Sequence, residues 1–128
     1  MSAPAFKPLA QTLGFAHGDS VFVETTPDWY TDFADKLNIS LEPGVPATHA
    51  HIFCEHEAEL ADFLDNTELE DVGTSLWISW PKRDSAIRTD LGEQEIRSAM
   101  LPLGWAAAND TVAIDDTWLG LQFLRQKT

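Results

Sequence analysis

The chain has 128 residues, 44% of them apolar, and 21 acidic side chains against 8 basic ones give it a net charge of −13. That length supports one domain, residues 1–128, around a single core, and the apolar content excludes a disordered chain. The charge excludes work on polyanions: nucleic-acid affinity comes mostly from counterions displaced by Lys and Arg, and an anionic membrane surface repels this chain for the same reason.

At the start, Met1-Ser2-Ala3-Pro4-Ala5-Phe6-Lys7 lacks the apolar core of a signal peptide, and no later apolar run approaches the ~20 residues that span a bilayer, so a cytoplasmic protein is predicted. Leu9 and Leu13, four apart and followed by Gly14, predict a short helix with a glycine stop. Val21-Phe22-Val23 reads as a first strand. Thr26-Pro27 then reads as an N-cap with proline in the first helical position, and Trp29, Phe33 and Leu37 form one apolar helical stripe. Asn38 to Leu41 is a predicted short strand, closed by the breakers Pro43-Gly44-Val45-Pro46.

Ala47 to Cys54 is the next predicted strand. Ala58, Ala61 and Leu64 predict a helix facing the sheet, and Asp65 to Gly73 an acidic solvated connection. Ser75-Leu76-Trp77-Ile78-Ser79-Trp80-Pro81 reads as a buried strand stopped by proline. Asp90-x-x-Glu93 fits a capping box, with Ile96, Ala99, Met100 and Leu103 as the buried stripe of the helix that follows. Thr111 to Ile114 and Trp118 to Leu124, flanking Asp115-Asp116-Thr117, read as an antiparallel hairpin. Strands alternating with helices predict a small three-layer α/β domain, a Rossmann-like and mainly parallel sheet with a C-terminal antiparallel hairpin.

Four blocks carry a resemblance to a known family. They are Leu13-Gly14-Phe15 with Gly18; His51-Ile52-Phe53; Leu76-Trp77-Ile78-Ser79-Trp80-Pro81-Lys82-Arg83 with Ser85, Thr89, Asp90 and Leu91; and Asp115-Asp116-Thr117-Trp118 with Gly120 and Leu121. Together they resemble a bacterial family of small uncharacterised proteins, domain of unknown function number 3052. The resemblance implies a Rossmann-like sheet of the shape found in methyltransferases and implies no reaction. Position 119 departs from the family's pattern, with leucine where serine is expected.

The candidate site follows from scarce positive charge. Lys82 and Arg83, two of the eight basic residues, stand directly after the buried strand, with Ser85 and Arg88 close behind. Open α/β sheets place ligands at strand carboxyl ends, so Lys82, Arg83 and Ser85 are the predicted binding loop, approached from the hairpin by Asp115, Asp116 and Trp118. The competing reading pairs these cations with Asp84 and Glu93 on a solvated surface. The leading functional expectation is a non-catalytic module that binds a small anionic ligand or a protein partner. The alternative is an enzyme using Lys82 or Arg83 for charge stabilisation and Asp115 or Asp116 as acid/base.

No cofactor is expected. The turn after the first strand, Glu24-Thr25-Thr26-Pro27, has no glycine to admit a nucleotide or S-adenosylmethionine to the backbone, and Glu24 would repel a pyrophosphate. His49, His51, Cys54 and His56 look like zinc ligands, but a regular strand points Cys54 and His56 to the face opposite His49 and His51. Histidines hydrogen-bonded within the sheet are therefore expected, with no metal. Cys54 is the only cysteine, which excludes an intrachain disulfide and a disulfide-stapled secreted scaffold.

Overall fold

The computed structural model describes residues 4–108 and 110–125; residues 1–3 of the segment read above for a signal peptide lie outside them. Helix α1 (Phe6–Leu13) ends on Gly14, whose φ of +76° lets its N–H close on the carbonyls of Ala10 and Gln11. Strand β1 (Ser20–Glu24), helix α2 (Tyr30–Leu37), β2 (Ser40–Glu42), β3 (Ala47–Phe53), α3 (Glu57–Asn66), β4 (Val72–Pro81), α4 (Glu93–Met100), β5 (Trp105–Ala107), β6 (Val112–Ala113) and β7 (Trp118–Arg125) follow. The seven strands form one sheet in the order β2-β1-β3-β4-β7-β5, with β6 also on β7.

Strands β1 to β4 are parallel, in register Val21↔His49 and Ala50↔Leu76. The expected parallel set from Val21, Ala47 and Ser75 is present. Strand β7 runs antiparallel to β4, pairing Leu76 with Phe123 and Pro81 with Trp118, and β6 completes the expected hairpin.

Alternation along the strands divides the core between two faces. Ala50, Ile52, Cys54, Leu76, Ile78, Trp80, Leu121 and Phe123 pack with Leu60 and Phe63 of α3 and Ile96 and Met100 of α4. Phe53 and Trp77 pack on the other face with Leu9 and Leu13 of α1 and Tyr30 and Phe33 of α2. The result is a three-layer α/β domain of Rossmann-like type. No helix among the described residues is long and apolar enough to cross a membrane.

Local readings are corrected at several places. Helix α2 begins at Tyr30, not after Thr26, because the Tyr30 N–H first closes a turn on the Pro27 carbonyl at 3.0 Å. Asn38 is the left-handed cap of α2 (φ +54°), which delays β2 to Ser40. Helix α3 buries Leu60 and Phe63 rather than Ala58 and Ala61, since the larger side chains win the sheet-facing side. Asp90 caps no helix of its own: its Oδ1 accepts the Glu57 N–H at 2.7 Å, while α4 starts from Gly92 with no side-chain cap. Leu103 is 49% exposed, because the chain tightens to a 3-10 turn at Leu101–Leu103 and leaves the buried stripe. Strand β5, three residues long, lies beyond the predicted elements.

Candidate functional site

Strand β4 carries buried side chains from Ser75 to Pro81 and delivers Lys82 to the carboxyl edge of the sheet. There the Lys82 N–H donates to the Thr117 carbonyl at 2.8 Å, tying the loop to the hairpin, and the Ser85 N–H closes a turn on the Lys82 carbonyl at 3.0 Å. Beside this turn lies an open cleft of about 420 Å³. Trp80, Leu91 and Leu119 give it an apolar lining, Lys82 and Arg83 its cations, and Asp84, Gly92, Glu93 and Thr111 complete it.

The electrostatics of this cleft are not those of a closed ion-pair network. The ion pairs among the described residues are His49–Asp19, His56–Asp90 and Arg97–Glu93, so among those residues neither Lys82 nor Arg83 has a carboxylate within 4.0 Å. Glu93 is engaged elsewhere: it accepts the Thr111 hydroxyl at 2.8 Å and Arg97 Nε at 2.7 Å, and these bonds hold its carboxyl below the usual range.

The hairpin contributes differently from expectation. Trp80 pairs with Leu119 and Pro81 with Trp118 across the β4–β7 ladder, so Leu119 joins Lys82 while Trp118 turns to the α1/α2 face. Asp115 is buried in the turn. Its Oδ1 accepts the N–H groups of Thr117 and Trp118, both at 2.8 Å, and its Oδ2 accepts Trp29 Nε1 at 2.9 Å. Asp116 is exposed at the tip. The Ser85 hydroxyl oxygen accepts the Ile87 N–H at 3.3 Å inside its own loop. Of the six predicted site residues, the structure therefore brings only Lys82 and Arg83 to the cleft's lining.

The histidines are occupied within the sheet. His49 Nδ1 pairs with Ser75 Oγ at 2.7 Å and Nε2 with Asp19 Oδ2 at 2.9 Å. His51 Nδ1 pairs with the Tyr30 hydroxyl and Nε2 with Ser79 Oγ, each at 2.8 Å. Burial pulls the His51 pKa down to about 3, which keeps the ring neutral. Cys54 faces the other core, where burial, then Glu59 and Glu24, push its thiol up to about 12; it is no nucleophile at neutral pH. Glu55, His56 and Glu59 cluster at the start of α3 as a capping arrangement, with Glu59 Oε1 accepting the N–H groups of Glu55 and His56 at 3.0 Å.

Two further concavities lie at strand carboxyl ends, and no local sequence signal marks them, because each is closed by segments distant in the chain. One, of about 600 Å³, runs past the ends of β1 and β2 and includes Glu24, Glu59, Asp62 and Glu68 in its lining. The other, of about 530 Å³, lies between the loop after β1 and the end of β3, with Trp29 and Trp118 in its lining.

No family model matches the chain, and no curated protein matches it. Solved structures do. The protein is similar to a member of the NADB-Rossmann superfamily from Streptococcus agalactiae, with a TM-score of 0.62 and 10% identity over 100% of this chain and 70% of that one. It is also similar to M. capricolum TrmK in complex with S-adenosyl-homocysteine (TM-score 0.58, 9% identity, 98% of this chain and 70% of that one). A third match is the complex of DhpI with the same molecule (TM-score 0.58, 11% identity, 95% and 85%). The fold is methyltransferase-like: a mostly parallel sheet closed by antiparallel C-terminal strands.

Two of these solved structures hold S-adenosyl-homocysteine, and the turn after β1 in this chain does not suit such a group. Thr25 holds a φ of +55° in the turn after β1. A glycine there would leave the backbone open to a ligand, but this chain fills the place with a β-branched side chain. Pro27, two residues on, offers no N–H to a ligand.

Proposed function

We propose that the protein is a non-catalytic Rossmann-like binding module, and that it holds a small anion with an apolar body in the cleft at the carboxyl end of β4. The observation that carries this reading is the placement of Lys82 and Arg83 there, without carboxylate partners among the described residues, beside Trp80, Leu91 and Leu119. A chain at −13 repels anions over most of its surface, so an anion is drawn to the place where cations gather. The apolar lining favours a carboxylate or phosphate monoester on a hydrophobic body over a bare inorganic ion.

The enzyme alternative finds less support. Both Asp115 oxygens already accept N–H bonds within the turn and from Trp29, and Trp118 faces away from the cleft. The test is a thermal-shift and calorimetric titration with phenyl phosphate and inorganic phosphate, on the parent and on a Lys82→Ala/Arg83→Ala variant. The parent should bind phenyl phosphate more tightly than phosphate, and the variant should lose about tenfold in affinity. Because Arg83 is exposed, Lys82 only half-buried, and neither is in an ion pair among the described residues, the variant's stability should change by less than about 1 kcal/mol. Equal titrations for parent and variant, or no saturable response in the parent, would defeat this assignment.

A further inference from the structure

We infer that the 530 Å³ cavity between the ends of β1 and β3 is a second binding site, and that its ligand is a small organic cation, an ammonium group on an apolar body. This goes beyond the anion cleft and does not depend on it. The cavity stands where the chain leaves β1 for β2 on one side and returns to β3 on the other. That reversal of direction is the crevice in which open α/β sheets hold their ligands.

Its chemistry selects the charge. Asp28 and Glu55 line it, Trp29, Trp118, Pro27 and Ile87 supply apolar and aromatic surface, and no basic side chain contributes. An anion meets two carboxylates there, and a hydrated metal ion gains nothing from indole rings. A neutral apolar molecule leaves the carboxylates unused. An alkylammonium or quaternary ammonium ion uses both, through its charge and through contact of its apolar groups with the indole rings.

The aromatic walls are also built before any ligand arrives. Asp115 Oδ2 accepts Trp29 Nε1 at 2.9 Å while its Oδ1 accepts the backbone N–H of Trp118 at 2.8 Å, so one carboxylate ties the Trp29 ring, 86 residues away in sequence, to the backbone that carries Trp118. Trp29 stacks on Tyr30 at 5.3 Å and Trp118 meets Phe53 edge-on at 5.1 Å, which fixes the rings further. Groups locked in place lose little freedom on binding. Asp115 is thus a positioning residue for the cavity, although it does not line it.

The test is a titration of the parent protein with choline and with n-butylammonium at constant ionic strength, read by tryptophan fluorescence and calorimetry. The control is dimethylbutanol, the uncharged carbon isostere of choline. Saturable binding of at least one cation should be seen by roughly 10 mM, with the isostere about tenfold weaker. The Asp28→Asn/Glu55→Gln variant should lose about fivefold or more in cation affinity while its response to the isostere stays the same. Should the variant fail to fold, the comparison of choline with its isostere decides the matter alone. No saturable response to either cation overturns the inference, as does an isostere that binds as well as choline, or a folded variant with undiminished cation affinity.

Discussion

His51 is fully buried, with its ring nitrogens paired to the Tyr30 and Ser79 hydroxyls, and no charged partner offsets the cost of burying its protonated form. Burial lowers its pKa from 6.5 to about 3. Above pH 6.5 neither the folded nor the unfolded chain protonates this ring, and its titration leaves stability untouched. As the pH falls from 6.5 toward 3, the unfolded chain takes up a proton that the folded chain refuses, and stability is lost through that window. The slope amounts to about 1.4 kcal/mol per pH unit. Urea unfolding between neutrality and mild acid should show this component in the parent and lack it in His51→Gln, whatever the variant costs at neutral pH. Equal slopes in the two proteins would mean that the ring is not held neutral. The signal for this residue was visible in the sequence, because strand parity alone separates His49 and His51 from Cys54.

At the scale of the element, the turn between β6 and β7 is organised by one side chain. Asp115 accepts three N–H groups, two from its own turn and one from Trp29, the residue before α2. Asp115→Ala strands those donors, two of which cannot turn to water without opening the hairpin, and should cost about 2–4 kcal/mol in urea unfolding. Asp115→Asn can keep one acceptor oxygen for the turn but presents a donor toward Trp29, so its loss should be intermediate. An alanine variant as stable as the parent would show the turn to be held by its backbone alone. Aspartate in a hairpin turn was legible from composition, whereas its bond to Trp29 was not, since nothing local announces a partner 86 residues away. Helix faces were harder to read than strands. A period of two admits only two answers, but α3 could rotate by one residue, and the choice between Ala61 and Leu60 rested on bulk that counting apolar positions ignores.

The whole molecule separates architecture from chemistry. The alternation of strands and helices carried the parallel sheet and its closing hairpin, because crossover geometry leaves few arrangements for such a pattern. The strand-end address of Lys82 needed only the end of β4. The division of Lys82 and Trp118 between faces needed the β4–β7 register, which the sequence does not contain. Similarity to solved methyltransferase-like structures extends across the chain at about a tenth identity, which fixes the fold and leaves the site to its own residues. Those residues argue against the adenosyl group, with Thr25 at +55° and Pro27 closing the turn that a glycine would open. S-adenosyl-homocysteine is the sharper probe of this point than the methyl donor. It carries the whole adenosyl frame without the sulfonium charge, and its remaining ammonium is balanced by its own carboxylate, so it is net neutral and a weaker match to an organic-cation cavity. A ligand at about 100 times its Kd adds about 2.7 kcal/mol to stability, which for a domain of this size moves Tm by several degrees. S-adenosyl-homocysteine at millimolar concentration should leave the Tm of this protein unchanged and give no calorimetric heat beyond dilution. A shift of several degrees in the parent would show that the turn after β1 accepts the adenosyl frame despite its side chains.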